Sequence, residues 1–310
     1  MKSFTFNRQL LLIMFMLLNC FTSYASDDNL ITKQTIVNLT EAGTLQNKIA
    51  YSEKYLITNL KIIGEINGTD LCLIRDMAGS YVTGEKTPGK LSILDLSETK
   101  IVEGGDYYYT DYFEDEDKQY TKNDTLGNWT FAWCKSLTTV IIPTSIAAIG
   151  RGTFYYCSNL ATIDIPSNVT EIGSSAFVNC SSLKSMNIPS SVKSIGGSAF
   201  YICTELTSIY MYSTEFLTIG FIGEDAFKGC NANNCTVYVP KGTLDAYSKS
   251  KFNYFKNIVE FEATSINKTT SNGVKEIFRY NSNGQQLTTP TKGINIIKYS
   301  DGSIRKEIVK

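Results

Sequence analysis

The side chains best equipped for chemistry in this 310-residue chain are its eight cysteines, and five of them recur at one position of a repeat. Cys134, Cys157, Cys180 and Cys203 recur every 23 residues, and Cys230 follows after 27. A thiolate column could ligate metal or form disulfides, but this spacing serves neither. Residues at one position of stacked coils lie about 4.8 Å apart with parallel Cβ vectors. A disulfide wants Cβ atoms at about 3.5–4.5 Å, and zinc needs about four ligands converging on one point. The column is read as buried thiols packing like small hydrophobic groups. Cys230 and Cys235, five residues apart where the last repeat changes shape, are the pair best placed for a disulfide.

Histidine is absent altogether, which removes His-based triads, Cys–His dyads and imidazole metal sites. No G-x-S-x-G elbow and no phosphate loop is present. The acidic run Asp111, Glu114, Asp115, Glu116 and Asp117 lacks the D-x-[DN]-x-[DN]-G spacing of a calcium loop. No pair of carboxylates stands out as a glycosidase would require. The expectation is a non-catalytic protein without cofactor or metal. Net charge is −1 from 29 basic and 30 acidic residues, so a broadly basic, nucleic-acid-binding surface is excluded.

The elements that must position any site are repeats. Residues 131–153 read FAWCKSLTTVIIPTSIAAIGRGT, 154–176 read FYYCSNLATIDIPSNVTEIGSSA, and 177–199 read FVNCSSLKSMNIPSSVKSIGGSA. A fourth unit, 200–226, is stretched by an insert near Tyr212, and a fifth begins at Phe227. The alternation L-x-x-I-x-I places Ile163 and Ile165 on one face of a short strand and Asp164 on the other. Pro143, Pro166 and Pro189 follow the strands, where proline ends a ladder it cannot extend. Gly150, Gly173, Gly196 and Gly223 mark the next bend, where a positive φ is expected. Six or so apolar side chains cannot offset the ordering of a whole coil, so neighbouring coils must share one core.

This block resembles the BspA-like leucine-rich repeats of secreted and surface proteins of Bacteroides-type bacteria. The resemblance runs from Phe131 to Phe227, weakens through Val237-Tyr238-Val239-Pro240, and includes an Ala246-Tyr247 ending. It implies a mostly-β repeat solenoid, a right-handed coil of short parallel strands. It also implies a surface or secreted protein that binds host or microbial ligands, without implying any one ligand.

Flanking segments complete the expected organisation. Residues 1–25 read as a secretory signal, with Lys2 and Arg8, an apolar run from Leu10 to Leu18, and cleavage near Ala25. A lipid anchor on Cys20 is the lesser alternative, because Asn19 stands where Gly, Ala or Ser normally precedes such a cysteine. The apolar run is too short to span a bilayer, so no transmembrane span is expected. Residues 26–90 read as a β-rich N-terminal cap, 91–263 as the solenoid, and 264–310 as a linker with a small β-rich C-terminal module. That module resembles C-terminal modules read as sorting signals for outer-membrane export, and the resemblance implies outer-membrane association. Residues 102–130 interrupt the solenoid as an acidic, tyrosine-rich loop. Residues 26–130 carry a net charge of −8 and residues 241–310 a net of +6.

Two surfaces are candidates for contact. One outward residue per coil forms a column on the strand face, giving Asp95, Asp164, Asn187, Tyr210 and Tyr238, with Ile141 in the same row. A second row is Thr139, Thr162, Ser185 and Ser208. The alternative is the 102–130 loop, through Tyr107, Tyr108, Tyr109 and Tyr112, because long loops are often functional and tyrosine is a favoured contact residue. The partner expected is an extracellular protein or glycan, in adhesion or ligand capture. The competing reading is a structural spacer that displays a terminal module.

Overall fold

The computed structural model describes residues 29–111, 114–214, 221–261, 276–281, 287, 289–299 and 304–309. Residues 1–25, read as a secretory signal and including Cys20, and Tyr112 lie outside the described residues. The fold is a mostly-β parallel solenoid of about nine turns with few helices. One side of the coil carries β1 (Thr35–Leu39), β2 (Asn59–Ile66), β3 (Ile93–Ile101), β6 (Thr139–Ile141) and β8 (Thr162–Asp164), paired in that order and all parallel. The row continues as a separate parallel sheet of β10 (Ser185–Ile188), β12 (Ser208–Met211), β14 (Thr236–Pro240) and β15 (Asn257–Phe261). A second side carries two-residue strands, β7 (Ala148–Ile149), β9 (Glu171–Ile172), β11 (Ser194–Ile195) and β13 (Phe221–Ile222).

The parallel ladder already begins at β1, within the segment read as a cap. That segment also holds the helix α1 (Gly68–Met77), which the sequence reading missed. Asp70 closes a capping box with Asn67, and its carboxylate accepts from the N–H groups of Gly43 and Leu45. Arg75, fully buried on α1, donates to the carbonyls of Trp129, Thr130 and Tyr81, clamping the helix to the first repeat.

The core is built in columns. The rings of Phe131, Phe154, Phe177, Phe200 and Phe227 stack at 5.6, 5.3, 5.2 and 5.5 Å between centroids. Phe252 and Phe255 pack on the last of them, beside the short helix α2 (Leu244–Ser248). The cysteine column lies alongside, and from Cys157 onward each of its thiols donates to a phenylalanine carbonyl one coil back. Cys157 reaches Phe131 at 3.0 Å, Cys180 reaches Phe154 at 3.2 Å and Cys203 reaches Phe177 at 3.1 Å. The expected Cys230–Cys235 disulfide is not formed. Cys230 keeps the repeat position, its thiol donating to Phe200 at 3.1 Å, and both cysteines are free.

The bend glycines are needed for a reason other than φ. Gly150, Gly173, Gly196 and Gly223 do not have positive φ. A Cβ on Gly173 would lie 2.6 Å from the carbonyl carbon of Gly150, and one on Gly196 would meet Gly173 equally closely. The backbones of successive coils touch there. Positive φ falls elsewhere, at two positions per coil. One set is Trp133, Tyr156, Asn179, Ile202 and Gly229, each just before a column cysteine. The other is Trp129, Gly152, Ser175, Ser198 and Asp225.

The 102–130 segment is also corrected. Much of it is an antiparallel hairpin of β4 (Gly104–Asp111) and β5 (Glu114–Thr121), not an irregular loop. Near the C-terminus, β16 (Glu276–Asn281), β17 (Gly293–Tyr299) and β18 (Ile304–Val309) form an antiparallel sheet, so the parallel winding is not continued there. Arg279 is buried in this sheet and pairs with Glu307.

Candidate functional site

Alternation along the short strands sends Ile163, Met186, Ile209 and Val237 into the core, so the intervening residues must face outward. Register then aligns those residues across the coils. Asp95 pairs with Ile141 and Ile141 with Asp164 on the first sheet. Asn187 pairs with Tyr210, Tyr210 with Tyr238 and Tyr238 with Val259 on the second. The expected column is therefore two rows, separated by the break between β8 and β10. Beside the first row, the Thr139 and Thr162 hydroxyls hydrogen-bond at 3.1 Å, tying the coils together.

Asp95 is not available to a ligand. It is buried, because β2 runs alongside and sets Lys61 directly opposite, 3.3 Å from its carboxylate. Its other oxygen accepts from the Ser97 N–H and hydroxyl at 2.9 and 2.6 Å. The partner strand lies 34 positions earlier in the chain, so repeat spacing around Asp95 carries no sign of it.

The second row has more to offer. Tyr210 and Tyr238 stack at 4.5 Å with their rings 7° from parallel. Phe261 meets Tyr210 edge-on at 6.0 Å and Tyr212 at 5.6 Å. Burial, reinforced by the Tyr238 and Tyr212 hydroxyls, pushes the Tyr210 phenol up to about 12. It is a neutral donor and acceptor at physiological pH. Next to it, the Asn187 side-chain oxygen is buried and has no hydrogen-bond partner among the described residues. Such orphaned acceptors are uncommon in folded proteins and call for an explanation. Val259, at the far end of the row, is 41% exposed. The surface therefore joins a half-buried aromatic block to one unfilled acceptor, with Asp164 on the adjoining sheet. Tyr212 and Phe261 were missed from sequence. The i, i+2 spacing from Tyr210 could have found Tyr212, whereas Phe261 depends on a strand outside the repeat pattern.

Two of the tyrosines expected in the alternative contact loop, Tyr108 and Tyr109, are buried. Tyr108 is 1% and Tyr109 is 8% exposed. Tyr108 donates to the Asn128 carbonyl at 3.0 Å, and burial raises its phenol to about 12. Tyr109 stacks on Trp129 at 5.8 Å. Folding the segment into a hairpin turns these two rings onto the first repeat. Tyr107 stays half-exposed, edge-on at 6.3 Å to Tyr120, which is itself exposed. Among the described residues no cluster of three or more metal-ligating side chains is found.

The stacked coils and their outward rows define a leucine-rich-repeat solenoid. The family model for the BspA type leucine rich repeat region matches six copies across residues 124–238 and 213–301, more than half of the chain. The chain belongs to that family. Similar solved structures include a leucine-rich repeat protein from Bacteroides ovatus, at 19% identity and TM-score 0.34, over 74% of this chain and 66% of that one. A leucine-rich repeat protein of T. pallidum is 23% identical with TM-score 0.28, over 45% of this chain and 75% of that one. A leucine-rich cell surface protein from Faecalibacterium prausnitzii is 18% identical with TM-score 0.25, over 60% and 49%. The chain thus spans just under two thirds of the first of these structures. No curated protein matches it.

Proposed function

We propose that this protein is a non-catalytic, secreted or cell-surface capture module that binds an extracellular protein or glycan on its strand face. The observation that carries this reading is the Tyr210–Tyr238 stack beside the buried Asn187 oxygen, which has no hydrogen-bond partner among the described residues. Rigid aromatic side chains supply contact area at low entropic cost, and an orphaned acceptor gains a hydrogen bond only when a donor arrives. Membership of a repeat family with surface proteins among its structural neighbours supports the location. No helix among the described residues is long and apolar enough to cross a membrane.

Residues 26–310, immobilised and presented with extracellular-matrix proteins, mucin and a glycan array, are expected to capture one class saturably. Asn187→Ala is expected to weaken that capture at least roughly fivefold. Silence across all three panels would contradict the reading and leave the solenoid as a spacer for a terminal module.

A further inference from the structure

We propose that the two ends of the solenoid are interaction surfaces for a second copy of this chain, stacked head to tail so that β15 of one copy pairs in parallel with β1 of the next. The inference does not depend on what the strand face binds. β1 and β15 are the first and last strands of the long parallel row, and among the described residues each is paired on one flank only. The other flank presents the backbone N–H and C=O groups of a sheet edge, which a further strand can bond.

Neither edge carries the usual protection. Sheet edges are normally blunted by proline, lysine, a bulge or a covering element. β1 reads Thr-Ile-Val-Asn-Leu and β15 reads Asn-Ile-Val-Glu-Phe, without proline or a basic residue. Both run in unbroken register with their neighbours. Their one charge, Glu260, is turned back on its own coil, where it accepts from the N–H groups of Gly242 and Leu244 at 2.8 and 3.2 Å. Terminal coils of a solenoid ordinarily end on a polar face. Here five of the seven exposed large apolar residues lie at the ends: Ile36 and Tyr51 in the first coil, and Phe221, Leu244 and Val259 on β13, α2 and β15.

Register and charge select which ends meet. Ile36 pairs with Lys61, which stands opposite Asp95, so it heads the outward row that runs on to Asp164. Val259 pairs with Tyr238 and closes the outward row at the other end. The two are 55% and 41% exposed. Every strand of the row is parallel, so head-to-tail stacking sets Val259 beside Ile36 of the next copy as one more step of the ladder. Cross-strand apolar pairs of this kind stabilise a sheet. Joining like ends with the same face outward would instead make the new pair antiparallel. It would also bring like charge together, because residues 26–130 carry a net of −8 and residues 241–310 a net of +6. Unlike ends attract at close range.

A head-to-tail contact does not close on itself, so it grows. In sedimentation velocity, the mean mass of residues 26–310 is expected to rise with concentration from about 1 to 100 µM, passing the dimer without stopping. Val259→Lys and Ile36→Lys each put a charge on one edge at an exposed position, and circular dichroism would establish that both variants are folded. Each alone is expected to self-associate at least about tenfold more weakly than the wild type. Mixed in equal amounts, they are expected to form a dimer and nothing larger, because one keeps an intact β1 and the other an intact β15. The Asp164→Ala, Tyr210→Ala pair should assemble as the wild type does. A monomer at every concentration would overturn the proposal, as would a mixture no heavier than its two components. So would assembly that stops at a dimer and survives in either lysine variant alone, the mark of like ends pairing.

Discussion

Gly173 sits where the backbones of adjacent coils nearly touch, and its missing Cβ leaves the room they need. Gly173→Ala is therefore expected to cost about 1–3 kcal/mol through overpacking. Ser174→Ala, at the exposed neighbouring position, should stay within about 0.5 kcal/mol. Urea unfolding of the two variants checks this, and equal midpoints would refute it. The thiol column makes a second prediction at this scale. Burial raises Cys134 from its ordinary 9.0 to about 11 and Cys235 to about 12, and it pushes Cys157, Cys180 and Cys203 up as well. Each group holds its proton more tightly folded than unfolded. Its contribution is complete below about pH 9 and is lost as pH rises toward the folded value. Stability should fall above about pH 9 by roughly 1.4 kcal/mol per pH unit for each such thiol. Urea midpoints measured from neutral to about pH 11 test the slope, and a flat profile would be incompatible with these buried thiols.

At the level of elements, the period of 23 residues is what keeps the columns aligned. Deleting residues 154–176 should stack Phe177 directly on Phe131 and keep Cys180 under the Phe131 carbonyl. That variant is expected to fold with native-like circular dichroism, whereas removing 21 residues from the same place should break every column and aggregate. Equal behaviour of the two deletions would count against shared stacking. The coils themselves were legible, because Phe, Cys, Leu, Ile and Gly recur in one phase and have one physical job per position. Other features were not. The left-handed residues before each cysteine are Trp133, Tyr156, Asn179, Ile202 and Gly229, types with no common local preference, and among them only Asn179 and Gly229 advertise the conformation. Their φ is set by the hydrogen bonds between coils, such as Tyr156 N–H to the Val178 carbonyl at 2.8 Å. The hairpin of residues 104–121 was hidden by a run of charges that obscured its alternation. Asp95 looked outward until β2 brought Lys61 against it. On the candidate face, Tyr210 and Tyr238 could be placed from the repeat phase, while Phe261 required a strand that carries no repeat signature.

The whole molecule is a scaffold with its ends and faces differentiated. Its front, residues 26–130, is acidic and its tail, residues 241–310, is basic. At physiological salt those fields reach only about 8 Å, so they steer close encounters and do not choose the partner. On the proposed function, selection falls to the half-buried surfaces, above all the strand face. The direct test compares wild-type residues 26–310 with the Asp164→Ala, Tyr210→Ala double variant, using whichever ligand class the protein captures. Circular dichroism would establish that the variant is folded. Loss of the Tyr210–Tyr238 stack should cost about 0.5–1.5 kcal/mol beyond the lost burial of the half-buried ring. Abolished capture by a folded variant is the result predicted. Undiminished capture would contradict it and move recognition off the strand face.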